Sequence, residues 1–430
     1  MLYQNLQYNL TSFVTPSFIT PDNISSFFGY YDKCPLDSTG TRLLAHRCTF
    51  DGRNPTAEDE VEVGYYSLSD SAWHTIGKTH AFNWQQGSML QWLGPDFESR
   101  IIYNVRRDNR FASVVFDTTT GISRELDFPV YSVHPSGKFA LSVNYERFFF
   151  FRGGYNYQGV NKPEWNIPLH PDDGIFYVDI EAGSHRLLIP TVKVARFDGD
   201  LPRDHIHWLE HMMWNPSGSR FIFLHRHGTG AEYTTKLFTA DGNGGNLYRF
   251  PDADLYSHTG WRSDDEFVIY AAKRNWVYQN YLRQTRKDSL WIRPVRTVMR
   301  MVRQYIFSQQ TFKNIIYGYY YLLHDQTDGC VPIAAEIMRE DGHMTWTKDG
   351  RYMLTDTYAD EQGYRHLLIY DHQNKRLHEL GLFFSPYNSC GYRCDLHPRF
   401  SRDEKYVIID TAHADMRKVM MLRLELNLLK

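Results

Sequence analysis

Short apolar runs separated by polar turns recur along almost the whole chain. In the clearest unit, a histidine opens a short strand, a turn of Pro, Asp, Ser or Gly follows, and a strongly apolar strand completes the pair. The unit that starts at His211 reads HMMWNPSGSRFIFL, and units with the same His-x-x-aromatic spacing start at His258, His343 and His397. Short apolar runs bounded by turn residues are typical of buried β-strands. The pattern therefore predicts an all-β chain built from repeats.

Three weaker copies of this unit lie upstream, at Tyr31, Gln91 and Val133, so the chain contains seven turns of the same kind. Further short strands follow each turn, and four-stranded sheets repeated around an axis form a β-propeller. We therefore predict one seven-bladed β-propeller domain over residues 1–430. Because the last repeat has room for only three strands, we expect the N-terminal segment from Tyr3 to Val14 to supply the fourth and close the ring. An open pair of packed β-sheets is the alternative.

One segment departs from the β pattern. Residues 275–324 are predicted to be an insertion on blade five, longer than a connection inside a compact domain usually needs. The overlapping stretch 273–303 is basic, with Asp288 as its single acid, and from Pro294 onwards it has the spacing of an amphipathic helix. Such a segment suits a lid over the channel, an anionic membrane surface or a polyanionic glycan, and a helix packed on the propeller rim is an equal alternative.

Composition narrows the class of protein. An aromatic content of 16% and a charged content of 23% indicate a folded chain with a large core. The net charge of -3 argues against a nucleic-acid binder that is held by a basic surface. The sequence contains neither a signal-like N-terminus nor an apolar run of about eighteen residues. Its five cysteines are interpreted as reduced thiols. We expect a cytoplasmic protein, at the inner face of the membrane if the basic segment binds lipid.

Propeller topology predicts where functional side chains meet. The innermost strand of every blade starts on one face, and the next strand returns to that face, so these loops surround one channel mouth. We expect His211, His258, His343 and His397 there, with Tyr31 and His80 at comparable positions in the first two blades. A ring of imidazoles and guanidiniums suits an anionic ligand, directly or through a divalent metal. Alternatively, each histidine only forms hydrogen bonds within or between blades.

Two phrases of the sequence resemble a known family. Asn83-Trp-Gln-Gln-Gly87 in the second blade and His397-Pro-Arg-Phe-Ser-Arg-Asp403 in the last are similar to phrases of the TolB-like seven-bladed propellers that include the oligogalacturonate lyases. The resemblance implies cytoplasmic cleavage of uronate oligosaccharides by β-elimination, with a manganese-type ion held by histidines and a glutamine. Where the family has a phrase like Gln-x-x-His-x-His-Pro, this chain has Tyr392-Arg-Cys-Asp395-Leu-His397-Pro. We therefore expect His343, His397 and Asp395 to form the ion site.

β-Elimination needs a cation near the uronate carboxylate, a base for the C5 proton and an acid for the leaving oxygen. We expect the three roles to fall on Arg226 or Arg47, on His211 or His258, and on Tyr31 or Tyr256, respectively. Aromatic side chains near the mouth either stack on sugar rings or only fill blade cores. The residues expected to bind substrate are His80, Trp84, Gln86, Glu210, Arg274, Tyr358 and Arg399.

Two other functions are compatible with the same mouth. One is a non-catalytic propeller that binds an acidic glycan during cell-surface polysaccharide biosynthesis. The other is a glycoside hydrolase or related sugar-transferring enzyme, which would need two carboxylates, from Asp32, Glu210 or Asp356, roughly 5–9.5 Å apart across the mouth.

Overall fold

The computed structural model describes residues 8–429 apart from 198, 200–203, 230–231, 254, 273–317 and 389–390. Seven antiparallel sheets are formed in this part of the chain, and they are the blades of a β-propeller. The predicted fold class is therefore confirmed. Before the first blade, the chain forms two short strands, β1 (Tyr8–Leu10) and β2 (Val14–Ile19).

In blades one to six, four strands pair with their neighbours in chain order, and blade seven contains three such strands. Blades one to three consist of β3 (Ser25–Phe27), β4 (Arg42–Cys48), β5 (Val61–Ser67), β6 (Trp73–Thr79), β7 (Gln91–Trp92), β8 (Arg100–Arg107), β9 (Arg110–Asp117), β10 (Ser123–Leu126), β11 (Ser132–Val133), β12 (Phe139–Ser142), β13 (Gly174–Asp179) and β14 (Ser184–Pro190).

Blades four and five consist of β15 (Ile206–Trp214), β16 (Arg220–Thr229), β17 (Glu232–Asp241), β18 (Tyr248–Arg249), β19 (Leu255–Trp261), β20 (Glu266–Ala272), β21 (Tyr319–His324) and β22 (Cys330–Ile333). Blades six and seven consist of β23 (Thr345–Trp346), β24 (Tyr352–Asp356), β25 (Tyr364–Asp371), β26 (Arg376–Phe384), β27 (Arg399–Phe400), β28 (Tyr406–Thr411) and β29 (Lys418–Leu424).

The N-terminus closes the ring, but with a different segment from the one expected. Strand β2, not Tyr3–Val14, pairs with β29 and becomes the fourth strand of blade seven, while β1 adds a fifth strand to blade six by pairing with β26. Val14 and Ile19 pack in the core shared by these two blades. These pairings cover the outer edges of β26 and β29, which would otherwise be exposed to other chains.

The insertion on blade five ends earlier than predicted. Residues 319–324 form β21, which pairs with β20, and its residues Tyr320 and Leu323 are buried in the cores on the two opposite faces of the blade. Residues 275–317 lie outside the described residues, as do Arg274, the basic stretch 273–303 and the helix predicted from Pro294.

Two short helices lie in the connections around blade three. Helix α1 (Tyr145–Phe151) follows β12, and the Asn144 side chain caps it by accepting hydrogen bonds from the backbone N–H groups of Glu146 and Arg147. Helix α2 (Thr191–Phe197) precedes β15, and 3-10 turns occur at Pro163–Trp165 and Leu426–Leu429. In the described part of the chain, no helix has the length and apolar character needed to cross a bilayer.

Neighbouring blades share their hydrophobic cores. The largest cluster joins blades two, three and four through residues such as Ile102, Ala140 and Phe223, each with no exposed surface. Because apolar side chains of adjacent sheets bury each other, the blades stack into a rigid ring. This ring fixes the loops at the channel mouth relative to one another.

Candidate functional site

The four histidines that open the innermost strands of blades four to seven come together. Their rings form an arc, with centroid distances of 6.2 Å from His211 to His258, 4.0 Å from His258 to His343 and 4.3 Å from His343 to His397. All four are buried, with 1–4% of their surface exposed. We call this arc the channel histidines.

Irregular backbone aims two of these side chains. The β15–β16 register shifts between Glu210 and Met213, and the β19–β20 register shifts between Tyr256 and Thr259. His211 and His258 lie within these two bulges, and His211 has a left-handed φ of 57°. A bulge re-aims the side chain that it carries, which is why such irregularities are common beside functional sites.

Oxygen acceptors anchor one ring nitrogen of three channel histidines. His258 Nδ1 lies 3.0 Å from Asp341 Oδ1, His343 Nδ1 lies 2.9 Å from Asp356 Oδ1, and His397 Nδ1 lies 2.8 Å from the Gly29 carbonyl oxygen. Since a carbonyl or carboxylate oxygen can only accept, each Nδ1 carries the proton and Nε2 keeps its lone pair. The Nε2 atoms of His343 and His397 are buried and have no hydrogen-bond partner.

Two guanidinium–carboxylate clusters flank the arc. Glu210 pairs with Arg152 at 2.5 Å and with Arg226 at 2.6 Å, while Asp395 pairs with Arg393 at 2.5 Å and with Arg365 at 3.2 Å. Burial alone would raise the pKa values of these carboxyls, but the guanidiniums hold both pKa values well below their usual range. Both carboxylates are therefore ionised.

Tyr155 connects the two clusters. Its ring lies 4.0 Å from the Arg152 guanidinium, and its hydroxyl accepts a hydrogen bond of 3.3 Å from Arg393 Nη2. The ring also lies 6.1 Å from that of His211. Helix α1 and the turn after it bring Arg152 and Tyr155 to the channel. The mouth is thus lined by cations from blades three, four, six and seven.

The Asn83–Gly87 loop of blade two completes the lining. Gln85 donates through Nε2 to the Arg393 carbonyl oxygen at 3.1 Å, and Gln86 donates to the Tyr131 hydroxyl at 2.8 Å. Asn83 Oδ1 accepts from both of their backbone N–H groups. The side-chain oxygens of Gln85 and Gln86 are buried without a partner. Because unpaired buried acceptors are rare in folded proteins, these oxygens mark a place where a ligand donor fits.

Several of the predicted site residues belong to this site. Glu210 and Arg226 form one ion-pair cluster, Gln86 lies in the loop, and Asp395 adjoins the channel histidines. Tyr358 lies at the rim, 37% exposed, with its ring 6.3 Å from that of His258 and 6.1 Å from that of His343. Tyr31 packs 5.2 Å from His343, but its hydroxyl already donates to the Thr259 carbonyl oxygen at 2.8 Å.

Other predicted residues have structural contacts elsewhere. Arg47 alternates with His46 on β4 and lies over the Trp73 ring of β6. The Tyr256 hydroxyl donates to the Pro251 carbonyl oxygen, and His80 Nδ1 lies 2.8 Å from the Asp59 carbonyl oxygen. The structure does not bring these three side chains into the arc of channel histidines.

Trp84 and Arg399 are also structural. Trp84 donates through Nε1 to the Arg53 carbonyl oxygen at 2.7 Å, packs against Phe27 and is buried. Arg399 pairs with Asp410 at 2.8 Å and donates to the Tyr30 carbonyl oxygen at 3.0 Å. Its function is to hold the backbone beneath the histidines.

The three carboxylates from which the hydrolase hypothesis would take its pair already have partners. Asp32 pairs with Lys33 at 2.7 Å, Glu210 with two arginines, and Asp356 accepts from the backbone and ring of His343. A hydrolase needs one free carboxylic acid and one opposing base. The geometry therefore gives no support to that hypothesis.

His343, Asp395 and His397 fit a metal ion. One ligand atom from each of the three lies within 4.8 Å of the others, and the two imidazoles offer unpartnered Nε2 atoms. Anchoring of Nδ1 by an oxygen is the usual support for a metal-ligating histidine. Two imidazoles and a carboxylate suit a divalent transition metal.

The sequence analysis missed Gln85, Arg152, Asp341 and Tyr155, and it considered Tyr30 only as one of the aromatic side chains near the mouth. Gln85 was next to a residue that was selected, and Asp341 lies two residues before His343. Arg152 and Tyr155 lie in the long connection between β12 and β13, which carries no repeat signal. Only the length of that connection indicated that it reaches a functional site.

Comparison with known proteins identifies the fold. No protein-family model matches the chain, and no curated protein sequence matches it. An oligogalacturonate lyase in complex with manganese superimposes with a TM-score of 0.63 at 14% identity, covering 97% of this chain and 94% of that chain. An oligogalacturonate lyase from Vibrio parahaemolyticus gives a TM-score of 0.59 at 12% identity, with coverages of 97% and 96%. The chain therefore has the seven-bladed propeller fold of these two proteins, as the resemblance of its motifs implied.

Proposed function

We propose that this protein is a lyase that cleaves an acidic, uronate-containing oligo- or polysaccharide by β-elimination. The observation that carries the proposal is the arc of channel histidines, three of which are anchored by an oxygen at Nδ1, flanked by two arginine–carboxylate clusters. Two solved oligogalacturonate lyases with the same fold support it.

His258 is the best candidate for the base. Asp341 accepts from its Nδ1, and Ser257 Oγ in turn donates to Asp341 at 2.7 Å, so the ring has a fixed orientation. Burial lowers the pKa of His258, while Asp341 opposes this shift. The imidazole is therefore neutral near pH 7, and its Nε2 can take the C5 proton of a uronate.

His211 is less suited to that role. Burial lowers its pKa to about 4, and its Nδ1 lies 3.5 Å from Glu210, a carboxylate already paired with Arg152 and Arg226. We assign this group to substrate binding. Arg226 and Arg152 supply the positive charge that an anionic sugar requires.

A divalent ion would be held by His343, His397 and Asp395. When bound, such an ion acts as a Lewis acid that neutralises a carboxylate and so makes the adjacent carbon acid easier to ionise. Manganese is the ion named for one of the solved lyases. Asp356 and the Gly29 carbonyl oxygen orient the two imidazoles.

The test is turnover of a panel of uronate oligosaccharides with added Mn²⁺, followed by the absorbance of the unsaturated product. We expect the wild-type protein to form it and His258→Ala to lose at least 10²-fold in kcat. His80→Ala is the matched control, because that histidine lies apart from the channel contacts. Binding of the oligosaccharides without product would contradict the lyase and support the glycan-binding propeller.

The remaining expectations from the sequence stay predictions. They are an acidic glycan as partner, a cytoplasmic location, and membrane contact through residues 273–303.

A further inference from the structure

The hydroxyl of Tyr30 is an unused polar group at the centre of the site. The Tyr30 ring lies 5.9 Å from that of His211, 6.2 Å from that of His343 and 5.3 Å from that of His397. The side chain is only 2% exposed, and its hydroxyl has no hydrogen-bond partner. A buried hydroxyl without a partner loses free energy unless a ligand completes it.

The surrounding structure holds this tyrosine rigidly. The Asp410 carboxylate accepts from the backbone N–H groups of Phe28 and Gly29, and Arg399 donates to the carbonyl oxygens of Gly29 and Tyr30. Gly29 has a φ of 134°, and a Cβ there would lie 2.7 Å from the backbone of Gln86. This buried clamp fixes the direction of the Tyr30 ring toward the channel histidines.

The hydroxyls of Tyr31, Tyr131 and Tyr256 already have hydrogen-bond partners. Tyr31 uses its hydroxyl both to donate to the Thr259 carbonyl oxygen and to accept from the Thr259 N–H at 3.2 Å. The Tyr131 hydroxyl accepts from Gln86, and that of Tyr256 donates to the Pro251 carbonyl oxygen.

We infer that Tyr30 is the general acid that protonates the leaving glycosidic oxygen. This inference rests on the proposed lyase function. It gives Tyr30 the acid role that the sequence suggested for Tyr31 or Tyr256. In the step, Nε2 of His258 takes the C5 proton, the C4–C5 double bond forms, and the bond from C4 to the glycosidic oxygen breaks. The Tyr30 hydroxyl transfers its proton to that oxygen; afterwards the His258 imidazolium releases a proton to solvent and the tyrosinate takes one up, so charge and protons balance.

The experiment compares leaving groups. A uronate oligosaccharide needs a proton on its leaving oxygen, whereas a uronide with 4-nitrophenoxide at C4 does not. For Tyr30→Phe we expect kcat on the oligosaccharide to fall by about 10²–10⁴-fold, the usual contribution of a general acid, and kcat on the nitrophenyl compound to stay within a few-fold of wild type. Tyr31→Phe, which removes a structural hydroxyl, should change both substrates by the same factor.

A second measurement needs no variant. In wild-type protein, the solvent deuterium isotope effect on kcat should be present with the oligosaccharide and absent with the nitrophenyl compound. Equal effects of Tyr30→Phe on both substrates, or an isotope effect that is the same for both, would overturn the inference while leaving the lyase intact. A wild-type protein that eliminates from neither substrate would overturn the proposed function and this inference with it.

Discussion

Two groups of four histidines lie in this protein, and they use their nitrogens differently. The blade-four histidines are His205, His207, His225 and His227, which lie on or beside strands β15 and β16. Here His205 Nδ1 faces His227 Nδ1 at 3.2 Å, and His207 Nδ1 faces His225 Nε2 at 3.1 Å. In three of the channel histidines, by contrast, an oxygen accepts from Nδ1, and the Nε2 atoms of His343 and His397 have no hydrogen-bond partner.

This difference separates a candidate ligand site from a structural network. Among the described residues, the one group of three metal-ligating side chains brought within 4.8 Å includes His343 and His397 and none of the blade-four histidines. Two imidazoles that hydrogen-bond to each other use the N–H group of one ring and the lone pair of the other. A second ring nitrogen is buried without a partner in both groups, at His225 and His227 as at His343 and His397. What distinguishes His343 and His397 is the oxygen that holds Nδ1 and the Asp395 carboxylate within reach of both.

The largest expected effect is loss of the metal. Wild-type protein purified without chelator or nickel resin should contain about one divalent ion, and the His343→Ala/His397→Ala double variant should contain none, because two of its three ligands are gone. Elemental analysis checks this. The matched control is His205→Ala/His227→Ala, which should keep the ion. Loss of metal from the control instead would place the site in blade four.

The next effect comes from the oxygen that anchors His343. Asp356→Asn keeps the size of the side chain but removes the charge that holds Nδ1–H, so metal affinity should fall by about 10–100-fold. Titration with Mn²⁺ followed by calorimetry measures this change. An unchanged dissociation constant would show that the anchor does not tune the ligand.

A change in the blade-four histidines should affect stability rather than chemistry. His225 is fully buried and bonded to His207, so His225→Ala should lower the free energy of unfolding by about 1–3 kcal/mol. Denaturant unfolding measures the change, and His80→Ala, at a partly exposed position, should stay within about 0.5 kcal/mol. If metal content fell with His225→Ala while stability was unchanged, the proposed division between the two groups would be wrong.

The smallest effect is on the pH dependence of stability. Burial, followed by the nearby His207, lowers the pKa of His227 to about 4. Between the ordinary histidine pKa of about 6.5 and pH 4, the unfolded chain binds a proton at this residue that the folded chain does not, so stability falls as pH falls. His227→Asn should make this fall less steep, as measured by thermal unfolding from pH 7 to pH 4. An unaltered slope would show that His227 titrates alike in both states.

Much of the candidate site followed from repeat positions. The His-x-x-aromatic spacing placed four histidines at equivalent points of four blades, and the closed ring brings equivalent points together. Repeat position alone does not tell where the Arg47 side chain points. Arg47 lies next to His46 on β4, and because neighbouring strand residues point to opposite faces, its side chain packs on Trp73 instead.

The residues that repeat reasoning could not find lie outside the repeats. Arg152 and Tyr155 reach the channel through helix α1 and the turn that follows it, a local excursion within blade three. Trp84 illustrates a second ambiguity of reasoning from sequence. An aromatic residue suits a sugar platform and a hydrophobic core equally well, and here the neighbouring Phe27 and Phe82 made it part of a core.

The amino-acid sequence by itself determined the all-β class, the seven blades and the register of the channel histidines, since these depend on local alternation and on turns spaced at regular intervals. Only the tertiary structure decided that β2 closes blade seven, that Tyr31 is engaged by Thr259 while Tyr30 is free, and that two groups of histidines have different partners. The physical reason is that hydrogen-bond partners come from strands far apart in the chain. Whether a nitrogen or a hydroxyl is available therefore depends on how the blades pack around the axis.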